Sequence, residues 1–122
     1  MLAQRYDFQI DQGADFSMAV AYTDSSDSAY DLTESNYAAV LTVRENVEDT
    51  TALATLSSSD GEIVLTSTAP NITINIPYST TASLDFDTAF YDLELTTNSG
   101  PNVLTTDKIL RGKVKLIKEI TR

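Results

Sequence analysis

Apolar side chains recur at every second position along most of this chain, and nowhere do they sustain the 3.6-residue period of an amphipathic helix. Tyr6, Phe8 and Ile10 alternate with Asp7 and Gln9, and after Gln12-Gly13 the residues Phe16, Met18, Val20 and Tyr22 repeat the pattern. Both runs are predicted strands with one face turned to a core. Tyr37 to Arg44 (YAAVLTVR) is apolar at odd and even positions alike, which predicts a central strand covered on both faces. Between them, 23–31 (TDSSDSAYD) has the composition of a loop, and Asp31-Leu32-Thr33-Glu34 that of a capped turn placing Leu32 inside.

The second half continues in the same style. Ala52 to Leu56, Glu62 to Ser67 and Ile72 to Ile76 are predicted strands, separated by Ser57 to Gly61 and by Ala69-Pro70-Asn71. Ser79 to Leu84 suits one helical turn with Ser79 as N-cap. Tyr91, Leu93 and Leu95 then alternate with Asp92, Glu94 and Thr96, and two more strands are expected through Val103-Leu104 and Ile109 to Ile120, with a bulge or bend at Gly112. Ser and Thr supply 29 of the 122 residues, which favours strands and turns over helices. The expectation is an all-β domain spanning residues 1–122, an antiparallel two-sheet β-sandwich of immunoglobulin-like type with about eight strands and at most one helical turn. If Ile120 is buried, the last strand runs to its end.

Charge is unevenly distributed along the chain. Residues 1–107 carry 17 acids against Arg5 and Arg44, a balance of −15, whereas residues 108–122 carry six bases against Glu119, a balance of +5. So acidic a body repels phosphate backbones and anionic lipid, so neither nucleic acid nor a membrane surface is the expected partner. Lys and Arg on the outer face of an edge strand discourage stray pairing. The sharper reading sets the last strand against an acidic face of a neighbouring molecule.

Cys, His and Trp are absent, which removes thiolate nucleophiles, histidine triads and the usual zinc ligands. No run reaches the ~20 apolar residues of a membrane span, and Met1 to Arg5 does not resemble a signal peptide. A soluble, non-exported protein is expected. Asp24, Ser25, Ser26, Asp27 and Ser28, with Asp31, offer oxygen ligands for calcium but lack the turning glycine and bidentate Glu, so a solvated loop is preferred and no cofactor or metal is assigned. Asp85, Asp87, Asp92 and Glu94 are the candidates for a glycosidase pair, but Asp92 and Glu94 share one strand face and do not oppose each other. Asn71-Ile72-Thr73 matches the glycosylation pattern and is read as chance. The chain is therefore not expected to be an enzyme.

Of the aromatic residues, Tyr6, Phe8, Phe16, Tyr22 and Tyr91 occupy inward positions and are assigned to the core. Tyr30 and Tyr78 in loops, and Tyr37 opening a strand, are better candidates for contact with a partner, together with Lys113, Lys115 and Lys118 of the last strand.

The order of segments carries a resemblance. Tyr6-Asp7-Phe8-Gln9-Ile10 with Gln12 to Phe16, then Tyr30-Asp31-Leu32-Thr33 leading into Ala39 to Arg44, then Phe90 to Leu95, and finally Leu110 to Val114 with Glu119 to Arg122, resemble small tailed-phage virion proteins over nearly the whole chain. These are β-sandwich modules similar to the N-terminal domain of phage baseplate upper proteins. Such chains often carry glycine after Asp-Leu-Thr, where Glu34 stands here. The resemblance implies a structural component of the virion, assembled in the host cytoplasm, in the tail, baseplate or fibre-attachment region. Other virion proteins and further copies of itself would be its partners. The alternatives are a head decoration or neck protein, or a carbohydrate-binding adhesin module, the glycan being less favoured.

Overall fold

Period-2 patterning resolves into two sheets and one short helix. The structure, a computed structural model, describes residues 4–23, 26, 28–33, 37–100 and 103–120, with backbone alone for Ser99, Gly100, Val103 and Leu104. The described elements are β1 (Gln4–Arg5), β2 (Phe8–Asp11), β3 (Phe16–Val20), β4 (Tyr37–Arg44), β5 (Ala54–Ser57), β6 (Ile63–Leu65), β7 (Ile72–Ile76), α1 (Tyr78–Ser83), β8 (Thr88–Gly100) and β9 (Val103–Ile117). The larger sheet runs β1-β9-β8-β4-β5, with β2 continuing β1 along the same edge of β9, and the smaller sheet runs β3-β7-β6.

The larger sheet is mixed, which corrects the wholly antiparallel expectation. β1 and β2 both lie parallel to β9, pairing Arg5 with Arg111 and Phe8 with Val114. The chain then leaves this sheet at Gln12-Gly13 and enters the smaller one as β3, antiparallel to β7. Gln12 secures the crossing. Its backbone N–H donates to Ile117 O at 2.9 Å, its Nε2 to Leu84 O at 2.8 Å, and its Oε1 accepts from Glu119 N at 2.9 Å. Gly13 supplies φ +86°, a left-handed turn that residues with a Cβ rarely adopt.

Inward residues of both sheets form one buried cluster. Ile10, Leu41, Leu56, Leu93 and Val114 from the larger sheet share it with Ile63, Ile72, Ile74 and Ile76 from the smaller. Each such side chain contributes about 1.5–3 kcal/mol when taken fully out of water. A small interior gap of about 10 Å³, lined from both sheets, lies among Phe8, Leu41 and Ile74.

Asn71 is the buried polar exception, at 0% exposure. Its Oδ1 accepts from Tyr22 N at 2.7 Å, and its Nδ2 donates to Tyr22 O and Tyr30 O, both at 2.9 Å. It therefore closes the loop following β3 onto the start of β7, and its amide nitrogen is not open to glycosylation in the folded chain.

Several local expectations are revised. β4 has Ala39, Leu41 and Val43 inside, but Ala38 is exposed and Val40, Thr42 and Arg44 lie on an uncovered face, so it is covered on one side only. β9 is one long strand with neighbours on both sides and is not an edge. Its irregularity falls opposite Leu93 and Glu94 rather than at Gly112. Gly112 instead allows a close approach, since a Cβ there would lie 2.4 Å from Tyr6 O. The helix begins at Tyr78 after Pro77, without a side-chain cap. Tyr6, in the gap between β1 and β2, is 50% exposed rather than inside, and Ile120 lies beyond the last strand at 93%.

Candidate functional site on the outer face of the larger sheet

The uncovered face of the larger sheet carries the outward half of each alternation: Thr42 and Arg44 from β4, Phe90 and Asp92 from β8, Arg111 and Lys113 from β9, and Arg5 from β1. Register sets them in two rows. Arg44, Phe90 and Lys113 are directly opposite one another across β4, β8 and β9, and Thr42, Asp92, Arg111 and Arg5 form the adjoining row. These residues, with Val47, line a concavity of about 450 Å³.

Four of the eight Lys and Arg residues of this −10 chain line that hollow. Arg5 and Arg44, the two bases of the acidic stretch 1–107, are both among them. Lys113 Nζ stands 5.8 Å from the centroid of the Phe90 ring, a cation-π arrangement, and Phe90 is 37% exposed. Arg44 Nη1 donates to Asp49 O at 3.2 Å, which orients the guanidinium without neutralising it. Arg5 Nη2 lies 3.6 Å from Asp7 Oδ2 in an exposed contact, while Asp7 Oδ1 accepts from Lys113 N at 2.8 Å.

Two of the bases outside the hollow, Lys108 and Lys118, are paired, whereas Lys115 has no ion pair among the described residues. Lys108 binds both Asp92, at 3.0 Å, and Glu94. Burial works against its charge, but hydrogen bonds and attraction from Glu94 and Asp92 outweigh this and hold the ammonium above its ordinary pKa. Lys118 pairs with Asp85 at 2.8 Å, and that hydrogen bond, with the ammonium charge, lowers the Asp85 carboxyl.

The six residues singled out in the sequence do not converge. Lys113 lines the concavity. Lys115 is exposed two positions further along β9, and Lys118 lies past the strand end in its ion pair. Tyr30 stacks on Tyr22 with ring centroids 4.8 Å apart, and Tyr37 is packed against the core. Tyr78 opens α1 at 63% exposure, its backbone N–H bound to Asp15 Oδ1 at 2.7 Å.

Arg5, Arg44, Phe90 and Arg111 are the residues the sequence reading passed over. Phe90 was detectable as an aromatic residue out of phase with Tyr91, Leu93 and Leu95. Among the glycosidase candidates, Asp92 and Glu94 share one face and one lysine. Of the calcium candidates, Asp24, Ser25 and Asp27 lie outside the described residues, as does Glu34. Asp31 Oδ1 accepts from both the backbone N–H and the hydroxyl of Thr33. Among the described residues, no group of three or more acidic side chains is arranged to hold a metal ion. No protein-family model matches this chain, and no curated protein matches it in sequence.

Proposed function

We propose that this chain is a non-enzymatic structural module of a tailed-phage virion, in the tail, baseplate or fibre-attachment region, working through protein-protein contacts. Two sheets sharing one core support the finer reading of the fold as an immunoglobulin-like sandwich with a mixed larger sheet. One observation carries the docking role: the outer face of the larger sheet is a cationic surface with an exposed aromatic at its centre, on a chain otherwise strongly acidic. Such a face suits an acidic surface of a neighbouring virion protein, because complementary charge speeds encounter, fixes register and rejects like-charged partners.

The strip Arg111, Lys113 and Lys115, all on outward positions of β9, is the part of this surface facing the neighbour. Lys118 is left out of it, being bound to Asp85. The test is to replace all three strip residues by glutamate and follow incorporation of the chain into particles, with a urea midpoint confirming that the variant folds. Incorporation is expected to fail at physiological salt. Normal incorporation of the folded variant overturns the docking role, and side-chain-resolution imaging of the particle locates the chain. Binding of the isolated chain to neutral glycans would instead favour an adhesin.

A further inference from the structure

We propose that the concavity around Phe90 is a binding site for a small polyanion, a molecule with at least two carboxylate or phosphate groups on a frame with one flat apolar face. This rests on the concavity, which shares Arg111 and Lys113 with the docking strip, and it is read on the isolated chain, where no neighbour competes for them.

Unused charge is the first argument. Of the described bases outside the hollow, Lys108 and Lys118 are satisfied by the chain's own carboxylates and Lys115 is not; of the four gathered in the hollow only Arg5 has a carboxylate contact among the described ion pairs, and that at 3.6 Å. With 18 acids available this is not scarcity of partners. Asp92, the carboxylate in the lining, is already held by Lys108.

Like charges are also placed side by side. Arg5 and Arg111 are register partners on adjacent parallel strands, so two like charges share one face, with Asp7 3.6 Å from the first and Asp92 across from the second. Arg44 and Lys113 flank Phe90 from the strands on either side, which sets their backbones ~10 Å apart at ordinary strand spacing. Two separate cationic sites result, one at Arg5 and Arg111 and one across Phe90. A ligand satisfying both carries two anionic groups.

Chemistry and size define the rest. Three of the four cations are guanidiniums, whose paired donors match the two oxygens of a carboxylate or phosphate. The exposed part of Phe90, with Val47 at 70% exposure, supplies the apolar wall. A volume of about 450 Å³ lies within the range of small-molecule sites.

The test titrates the full chain with trimesate (benzene-1,3,5-tricarboxylate), citrate, pyrophosphate and benzoate, reading backbone amide shifts and calorimetric affinity. Shifts are expected at Arg44, Phe90, Arg111 and Lys113, with trimesate tighter than citrate and benzoate weaker than either by about tenfold or more. Comparison of citrate with pyrophosphate assigns the anionic group as carboxylate or phosphate. An Arg44→Gln/Arg111→Gln variant should lose about tenfold or more in affinity. Phe90→Ala should remove the preference for trimesate over citrate, and Lys118→Gln, outside this surface, should leave all affinities unchanged. The single variant Lys113→Gln serves if the double one fails to fold. Absence of localised shifts with every polyanion, unaltered affinity in the arginine variant, or benzoate binding as well as trimesate would each overturn the assignment. Because no particle enters this assay, its failure leaves the virion reading to be judged by incorporation alone.

Discussion

The hydroxyl of Tyr91, in the middle of the larger sheet, donates to the backbone carbonyl of Tyr6, at the gap between β1 and β2. The gap is a break in the strand and not a loosening, because Tyr6 N donates to Arg111 O at 2.9 Å and Asp7 takes the Lys113 N–H. Tyr91 is buried, with its ring edge-on to Phe8 at 4.7 Å. Tyr91→Phe keeps that packing and removes only the hydrogen bond. The expected cost is about 1 kcal/mol in urea unfolding, with faster amide exchange confined to the N-terminal strand. Equal acceleration across β4 and β8 would show that the bond does not act locally.

The same phenol makes stability fall at alkaline pH. Burial, then the Asp7 carboxylate and the neighbouring Tyr6, push Tyr91 far above the ordinary tyrosine pKa, and burial with Asp107 raises Tyr22 in the same direction. An unfolded tyrosine releases its proton near pH 10, whereas these folded ones retain it. The stabilisation is therefore complete below about pH 10 and is lost as pH rises beyond it, because the unfolded chain then binds fewer protons. Urea midpoints should decline above that pH, less steeply in Tyr91→Phe. Identical slopes would place the titration elsewhere.

Asn71 is expected to be among the most sensitive positions in the chain. Its side chain satisfies three backbone groups of Tyr22 and Tyr30 in a fully buried setting. Asn71→Ala strands them, for an expected loss of about 3 kcal/mol. Asn71→Asp turns a donor into an acceptor facing two carbonyls, so it should be worse than alanine at neutral pH. Its carboxyl pKa would be raised by that setting, so stability should be regained as pH falls and the group takes up a proton. Chemical denaturation of the variants at neutral and acid pH checks both signs.

Gly112 and Gly61 separate close approach from backbone conformation. A Cβ on Gly112 would meet Tyr6 O at 2.4 Å and Asp7 Oδ1 at 2.6 Å, so Gly112→Ala must displace the segment between β1 and β2, at an expected cost of about 1–3 kcal/mol. Gly61 has open space around it but φ +83°, so Gly61→Ala carries only the left-handed penalty of about 1–2 kcal/mol. Tyr6 and Asp7 amides should shift in the first variant and stay in place in the second, which NMR reads directly.

Alternation reported which side of a strand is buried where it was strict, as in β7, whose Ile72, Ile74 and Ile76 are all inside; for β4 the predicted bounds hold, but the expected second covered face does not. It is silent about direction and neighbours. Nothing in Phe8-Gln9-Ile10 distinguishes parallel pairing with β9 from an antiparallel hairpin with β3, and so β9 was misplaced at an edge. Counting charge along the chain separated Arg5 and Arg44 from the basic C-terminal block, whereas register brings them beside Arg111 and Lys113 from opposite ends of the sequence. Gly112 was legible as special but not why, since the reason is the backbone of a residue at the other end of the chain.

If Arg111 is held beside Arg5 for a ligand's benefit, the free chain should be more stable without it. Arg111 has no ion pair among the described contacts, and its opposite-charged register partner Asp92 is already bound by Lys108. Arg111→Gln then removes a like-charge neighbour and little attraction. A gain of about 0.5 kcal/mol is expected at low salt, within the range for cross-strand charge pairs. It should shrink toward zero as salt shortens the screening length to a few ångströms. Trimesate should reverse the order, stabilising the parent chain and not the variant, because a ligand bound only to the folded state adds to its stability in proportion to the logarithm of its concentration. A purely structural arginine gives the opposite signature: the substitution destabilises the free chain, and trimesate does not alter the difference. Urea midpoints of both proteins, with and without trimesate at two salt concentrations, decide between the two.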